Sequence, residues 1–233
     1  MNKTGTKLVI ATIKSWNITL SKEFIRSHSQ NNVMLITNKD DLTFDRIKQF
    51  SPEYIFFPHW SWIIPSAIYD NFECIVFHMT DLPFGRGGSP LQNLIEKGIY
   101  KTRLSALRVV NELDAGPIYL KRDMDLHGSA KEIFKRSADI IFNDMIPFIL
   151  QNRIEPSPQT GEVVNFKRRT PEQSNIANLK NLTRIYDYIR MLDAEGYPPA
   201  FIETSELRIE FSEVKMNKNN VTATAKIEVK HEE

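Results

Sequence analysis

Residues 74–88 read CIVFHMTDLPFGRGG, and this stretch sets both the expected fold and the expected site. The first four residues form a short apolar run, which is typical of a buried strand. The strand leads directly into His78, and the loop that follows holds three of the nine glycines of the chain, Gly85, Gly87 and Gly88. Glycine permits positive φ angles and close approach of a ligand to the backbone. A titratable side chain and an open loop therefore follow one strand end.

Earlier apolar runs predict the neighbouring strands of the same sheet. They cover residues 8–13, 33–37 and 54–57, and the stretches between the four strands predict helices near 21–27, 41–50 and 63–69. Strands joined by crossovers of this length pair in parallel, with helices on the faces of the sheet. Ligands of open parallel sheets bind at the carboxyl ends of the strands, which places His78 at the binding edge.

Downstream of the glycine-rich loop the pattern becomes less regular. The spacing of Ser129 and Glu132 is that of a capping box and predicts the start of a long helix that ends near Pro147. The other predicted elements are a helix at 90–97, strands at 105–110 and 118–120, a polar connection at 151–175, a helix at 182–192 and alternating strands at 207–211 and 221–229. The C-terminal part is thus expected to be a small β appendage.

Composition excludes several classes of protein. The 233 residues carry 30 basic and 29 acidic side chains, so the net charge of +1 does not predict a nucleic-acid platform. The single cysteine, Cys74, rules out an internal disulfide and a cysteine-based zinc cluster. No apolar run approaches the ~20 residues that span a bilayer, so we expect a cytoplasmic protein without a membrane partner. The nucleotide-binding motif G-x-x-x-x-G-K-[ST] does not occur, and no G-x-G-x-x-G motif follows a predicted strand.

The residues from His78 to Gly87 resemble a family signature. HMTDLPFGRG, followed by Asp114-Ala115-Gly116, resembles the formyltransferases that use 10-formyltetrahydrofolate, with their H-x-[ST]-x-L-P-x-x-x-G and D-x-G motifs. The stretch RTPEQS at 169–174 and the motifs at 189–202 extend the resemblance over residues 1–202. It implies an α/β protein with a Rossmann-like formyltransferase catalytic domain at 1–165, built on a mostly parallel sheet. Residues 166–233 would add a short C-terminal helix and a β-hairpin appendage, a possible dimerisation element.

The resemblance also implies a mechanism. An unprotonated amine attacks the formyl carbon held on the folate, and a tetrahedral oxyanion forms. His78 would stabilise this oxyanion or move the proton, because an imidazole titrates near neutral pH. Asp114 would orient His78 and relay the proton, although without the resemblance Asp114 is better interpreted as a turn residue. No metal ion is expected.

The same resemblance suggests which residues bind the two substrates. For the folate co-substrate the expected residues are Ile63, Ile64 and Pro65, which would wall the pterin, with Gly85, Arg86, Gly87 and Asp114. For the acceptor they are Thr80, Gly88, Gln92, Asn93 and Trp60. Tryptophans near a strand end are more often packing residues, which is the alternative for Trp60. The alternative for Gln92 and Asn93 is the N-terminal turn of a helix.

One position departs from the family pattern. Family members usually have an asparagine two residues before the histidine, where this chain has Val76. Another donor could substitute, His78 could act alone, or activity could be reduced or lost. Loss of one oxyanion donor typically costs ~10²–10³ in rate. A folate-binding relative without catalysis is therefore an alternative.

The expected acceptor follows from charge and from the uninterrupted loop at 85–93. Residues beyond 150 sum to −1 and only about 30 residues follow Phe201, which argues against transfer RNA. The loop resembles small bacterial sugar N-formyltransferases. The prediction is therefore a nucleotide-linked 4-amino-4,6-dideoxy sugar, UDP-linked as in pseudaminic acid pathways, for surface glycan biosynthesis. A homodimer and no nucleic-acid partner are expected, with methionyl-tRNA as an alternative acceptor.

Overall fold

The computed structural model describes residues 5–230. The first elements are β1 (Lys7–Ala11), α1 (Ser15–Ser27), β2 (Asn32–Ile36), α2 (Phe44–Phe50), β3 (Tyr54–Phe57), α3 (Ser66–Tyr69) and β4 (Cys74–His78). The middle of the chain forms β5 (Phe84–Gly87), α4 (Pro90–Glu96), β6 (Lys101–Arg108), β7 (Ile118–Asp125), α5 (Ala130–Ile140) and α6 (Ile146–Asn152). A π-helical segment, Ile141–Met145, joins α5 to α6. The last elements are β8 (Val164–Phe166), α7 (Leu182–Arg190), β9 (Ala200–Glu203), β10 (Leu207–Met216) and β11 (Val221–Val229).

A six-stranded sheet is the centre of the α/β architecture. Its strand order is β2-β1-β3-β4-β6-β7, with parallel pairing from β2 to β4 and antiparallel pairing of β4 with β6. Leu8, Val9, Ile10 and Ala11 are all fully buried, as expected for a strand covered on both faces. The predicted mostly parallel sheet with helices is confirmed.

Helix α1 begins six residues earlier than predicted, at Ser15. The sequence gives no start signal there, because the N-cap residue Lys14 makes no side-chain capping bond. The first turn includes Trp16 and Asn17, which are buried in the folded chain. Tertiary packing therefore defines this helix start.

Two short strands occur where loops were predicted. β5 lies inside the glycine-rich loop and pairs with β8, which lies inside the predicted connection at 151–175. Four-residue and three-residue strands are too short to show an alternating pattern, and the partners are far apart in the chain. Pairing of this kind is decided by the fold.

The C-terminal strands form a separate antiparallel sheet in the order β11-β10-β9. Leu207 pairs with Val229 and Met216 with Val221, which confirms the predicted hairpin and extends its first strand by five residues. Strand β9 was not predicted, because Pro198 and Pro199 precede it and it has only four residues.

The chain divides into two compact units. One comprises residues up to Arg86, Arg103–Met124 and Lys135–Asn165; the other comprises Gly87–Thr102, Asp125–Phe134 and the residues from Phe166 onward. The predicted domains at 1–165 and 166–233 stay a prediction, and their ends, residues 1–4 and 231–233, lie outside the described residues. Over residues 5–230 we find no helix with the length and apolar character needed to cross a bilayer.

Candidate active site

His78 is the last residue of β4 and lies at the carboxyl edge of the sheet. Its side chain is buried, and its Nε2 lies 2.7 Å from the carbonyl oxygen of Gly85. Thr80 Oγ1 donates to the same carbonyl at 3.3 Å, and Ser105 Oγ donates to the Thr80 carbonyl at 2.7 Å. The loop after β4 therefore folds back over the imidazole and is held by buried hydroxyl groups.

Asp114 lies on the other side of the His78 ring. Its Oδ2 is 3.5 Å from His78 Nδ1, and both side chains are nearly buried. A carbonyl oxygen only accepts hydrogen bonds, so His78 Nε2 must carry a proton. Nδ1 is therefore the ring nitrogen that faces the Asp114 carboxylate.

The backbone of Asp114 is left-handed, with φ of 54°. This conformation is uncommon for a residue other than glycine and persists only where its surroundings hold it. Gln159 donates from Nε2 to the carbonyl oxygens of Asp114 and Gly116, at 2.8 Å each. Gln159 could not be identified beforehand, because it is a single amide residue in a polar segment without periodicity.

Arg86 connects the glycine-rich loop to the Asp114 turn. Its Nε and Nη2 donate to Gln159 Oε1 at 3.1 and 2.9 Å, and its Nη1 donates to Glu112 at 3.1 Å. The Arg86 side chain is largely buried, whereas that of Glu112 is exposed. The contact with Gln159 therefore fixes the guanidinium more firmly than the ion pair does.

The three residues predicted to wall the pterin differ in their exposure. Ile63 is 82% exposed, whereas Ile64 is buried and packs in the apolar cluster below the sheet edge. Pro65 is the N-cap residue of α3, which begins at Ser66 rather than at Ile63 as predicted. Of the three side chains, those of Ile63 and Pro65 are exposed and so are open to a ligand.

Trp60 follows β3 and is partly buried against the same apolar cluster. Its ring makes edge contacts with Phe57 at 5.9 Å and Trp62 at 5.1 Å. These contacts fit the packing alternative for Trp60. The adjacent His59 has a φ of 55°, and burial, with Lys14 nearby, lowers the pKa of its imidazole to about 4.

In the second unit, the predicted acceptor residues bond to their own backbone surroundings. Gln92 is buried and donates from Nε2 to the Met191 carbonyl at 3.0 Å. Asn93 Nδ2 lies 3.0 Å from each of the carbonyl oxygens of Gly88, Ser89 and Lys167. Gly87 has a φ of 103°, and a Cβ there would overlap the Phe166 carbonyl. These contacts hold the loop and the following helix α4 in place, and the two amide side chains are used within the protein.

Val76 lies in the middle of β4, opposite Phe57 and Leu107 in the sheet. It packs against the apolar cluster, so this position offers no hydrogen-bond donor. Burial, followed by the neighbouring Glu73, raises the pKa of the Cys74 thiol to about 12, which makes it unreactive. Within residues 5–230, we find no grouping of three His, Cys, Asp or Glu side chains suited to a metal ion.

Two family models match this chain, in agreement with its fold and its motifs. The chain belongs to the formyl transferase family, because the model described as Formyl transferase matches residues 21–139. The model described as Methionyl-tRNA formyltransferase, C-terminal domain, matches residues 171–228.

Individual relatives indicate which members of the family this chain is similar to. The solved structure of Methionyl-tRNA formyltransferase from Clostridium thermocellum is 55% identical, with a TM-score of 0.95, over 97% of this chain and 100% of that chain. Methionyl-tRNA formyltransferase of Mesoplasma florum is 26% identical over 83% of this chain, and the match spans 64% of that protein. HypX from Aquifex aeolicus in complex with tetrahydrofolic acid shares the fold, at 16% identity and a TM-score of 0.73, over 90% of this chain and 38% of that chain. A sugar N-formyltransferase from Shewanella sp. shares the fold at 14% identity and a TM-score of 0.65, over 86% of this chain and 93% of that chain.

The predicted acceptor is wrong. The 55% identity to a methionyl-tRNA formyltransferase and the match at 171–228 contradict a nucleotide-linked amino sugar, a glycan pathway and the exclusion of nucleic acid. The interpretation of Gln92 and Asn93 as sugar contacts is withdrawn with the sugar. The charge argument failed because a regional sum hides local clusters. Residues 167–184 hold five basic side chains and one acidic side chain.

Proposed function

We propose that this protein transfers a formyl group from 10-formyltetrahydrofolate to the amino group of methionyl-tRNA. The observation that carries the proposal is the 55% identity to Methionyl-tRNA formyltransferase from Clostridium thermocellum, along nearly the whole of both chains. The family match at 171–228 supports the same acceptor for the C-terminal part. The chain spans 64% of the length of curated relatives of that name, so their activity is carried over as a proposal.

The His78–Asp114 pair supports formyl transfer to an amine. A bond forms between the amine nitrogen and the formyl carbon, and the bond from that carbon to the folate nitrogen breaks. One proton must leave the amine and one must reach the departing nitrogen. Asp114 and His78, 3.5 Å apart and nearly buried, can take up the first proton and return it. His78 carries an Nε2 proton towards Gly85 throughout.

The folate co-substrate supplies the activated formyl group and the leaving nitrogen. Ile63 offers an exposed apolar side chain near the carboxyl edge of the sheet, which suits one face of a pterin. Arg86, fixed by Gln159, places a positive charge beside the Asp114 turn, where it suits an anionic group. A folate-type ligand also fits a fold shared with HypX bound to tetrahydrofolic acid.

A transfer assay tests the proposal. The purified chain is incubated with 10-formyltetrahydrofolate and methionyl-tRNA, and formylated methionine is measured after the ester is hydrolysed. Uncharged tRNA and free methionine serve as acceptor controls. Formylmethionine released only from the charged tRNA supports the proposal. Folate binding by calorimetry without any transfer would instead favour the non-catalytic alternative that Val76 suggests, and would overturn the proposed function.

A further inference from the structure

Gln159 lies at a junction of the two segments that flank His78. The His78 ring has Gly85 on its Nε2 side and Asp114 on its Nδ1 side. The residue after Gly85 is Arg86, which donates to Gln159 Oε1, and the Asp114 carbonyl accepts from Gln159 Nε2. One amide group therefore links both sides of the imidazole.

The hydrogen-bonding capacity of this amide is fully used. Its oxygen accepts two bonds from Arg86, and its nitrogen donates to the carbonyls of Asp114 and Gly116. A flipped amide would set its oxygen against two carbonyl oxygens and its NH₂ group against a guanidinium. The observed orientation is thus the only one without repulsion.

The segment that carries Gln159 is itself anchored. Two residues before it, Ser157 exchanges backbone hydrogen bonds with Ile118, at 2.7 and 2.9 Å. After it, Val164 N donates to the Pro83 carbonyl at 3.3 Å. Gln159 is therefore a fixed support rather than a mobile surface side chain.

The Asp114 turn needs such a support. With a φ of 54°, Asp114 holds a left-handed conformation that residues other than glycine seldom adopt and that persists only where the surroundings hold it. On its other side the turn lies against β6, where a Cβ on Gly116 would overlap the Arg108 carbonyl. Pinned between β6 and Gln159, the turn directs the Asp114 carboxylate at His78.

From these contacts we propose that Gln159 is a positioning residue, which holds the Asp114 carboxylate in line with His78 Nδ1 by bonding the Asp114 turn to Arg86. Gln159 touches neither reacting atom. It acts through Asp114, so its loss should affect the chemical step and spare the binding of methionyl-tRNA. Because Gln159 also holds Arg86, the KM for the folate is expected to rise as well. The kinetic part of this inference rests on the proposed formyl transfer, whereas its structural part does not.

A double-mutant cycle tests the kinetic part. Gln159→Met keeps the length and volume of the side chain but removes all four hydrogen bonds, and we expect kcat to fall ~10–100-fold with the KM for methionyl-tRNA within about threefold. In an Asp114→Asn background the same change should cost less than about threefold, because the residue through which Gln159 acts is already altered. Equal losses in both backgrounds would mean a general structural role and would overturn the proposal.

Two more variants sharpen the result. Gln159→Glu keeps an acceptor for Arg86 but sets a carboxylate oxygen against the Asp114 and Gly116 carbonyls, so its kcat should match that of Gln159→Met. Wild-type turnover in Gln159→Glu would contradict the role of the two donor bonds. Gln151→Met, the same change at an exposed glutamine of α6, is the matched control and should leave kcat unchanged.

Crystal structures separate this inference from the proposed function. In Gln159→Met, Asp114 should leave its left-handed conformation, or its carboxylate should move by more than about 1 Å from its position beside His78. An unchanged Asp114 would overturn the inference even if the wild-type protein formylated no acceptor. An inactive wild-type protein in which Gln159→Met displaces Asp114 would refute the proposed function and support the positioning role.

Discussion

His78 and Asp114 are the residues on which the proposed chemistry depends. The carbonyl of Gly85 fixes one imidazole proton, and the Asp114 carboxylate faces the other ring nitrogen. In the proposed reaction this pair takes up the proton of the amine and returns it to the departing nitrogen. The sequence predicted the two residues from family motifs; their proximity comes from the turn that Gln159 supports.

Replacing either residue should abolish most of the turnover. We expect His78→Asn and Asp114→Asn each to lower kcat at least a hundredfold, because general acid–base groups contribute ~10²–10⁴ to rate. Formyl transfer to methionyl-tRNA is the measurement, and circular dichroism with thermal unfolding shows whether the fold survives. Near-full activity of a folded His78→Asn protein would refute the proposed role.

His59 should make the protein sensitive to acid. Burial, and to a lesser degree Lys14, lowers the pKa of His59 from 6.5 to about 4, so the folded state keeps this ring neutral. Between these values the unfolded chain binds the proton more readily, and stability falls as the pH decreases from about 6.5 towards 4. At pH 4.5 this costs on the order of 2–3 kcal/mol relative to pH 7.

Urea unfolding at pH 7 and pH 4.5 measures this effect. His59→Asn should remove that part of the acid loss, since asparagine does not titrate and tolerates a positive φ. His127→Asn, at an exposed histidine, should behave like the wild-type protein. If His59→Asn and the wild-type protein lose equal stability, His59 is not the responsible group.

Among the elements, the start of α5 shows how a local motif fixes a boundary. Ser129 N donates to Glu132 Oε2 at 2.7 Å, and Glu132 N donates to Ser129 Oγ at 3.3 Å. This reciprocal pair is the capping box that the sequence predicts. The predicted end of this helix, near Pro147, is too early, because the helical stretch continues through α6 to Asn152. Proline is tolerated there since it falls in the first turn of α6, where backbone N–H groups lack partners within that helix.

Loss of the Ser129 cap should destabilise the protein modestly. Ser129→Ala removes the acceptor for the Glu132 amide, and we expect the free energy of unfolding to fall by about 1 kcal/mol. Chemical denaturation is the measurement, and Ser205→Ala, at an exposed position before β10, is the control with no expected change. A Ser129→Ala protein as stable as the wild type would show that the cap contributes nothing to global stability.

Considered as a whole, the molecule is nearly neutral, and its proposed acceptor is a polyanion. The charge that matters is local: Lys167, Arg168, Lys180 and Arg184 are exposed. Arg169 is paired with Glu96 and is largely buried, so it is not available in the same way. A small number of phosphate contacts is thus expected, despite a net charge of +1.

The affinity for methionyl-tRNA should therefore depend moderately on salt. Contacts with up to four phosphates predict up to about a hundredfold weaker binding at 200 mM than at 50 mM salt. Replacing Lys167 and Arg168 by alanine should reduce the slope of log K against log salt by about 2. Lys215→Ala with Lys218→Ala, in the C-terminal hairpin, is the matched control. Unchanged slopes in the Lys167/Arg168 variant would exclude these two side chains from the contact.

Local patterns were sufficient for much of the fold and for part of the site. The strands β1 to β4 are continuous apolar runs, which a buried parallel sheet requires, and so they could be predicted without a structure. The capping box at Ser129 and the signature from His78 to Gly87 are likewise short-range features. Each of these features is specified by a few consecutive residues, so it can be recognised in the sequence before the fold is known.

Other features depend on residues that are distant in the chain. β5 and β8, the buried start of α1, and the bond from Gln159 to Asp114 have no local signature, because each arises from a partner tens of residues away. The acceptor was misjudged for a related reason, since net charge averages over the chain whereas binding depends on where charges lie. The chain therefore encodes its sheet and its candidate catalytic residues locally, and the geometry that places His78 beside Asp114 exists only once the chain has folded.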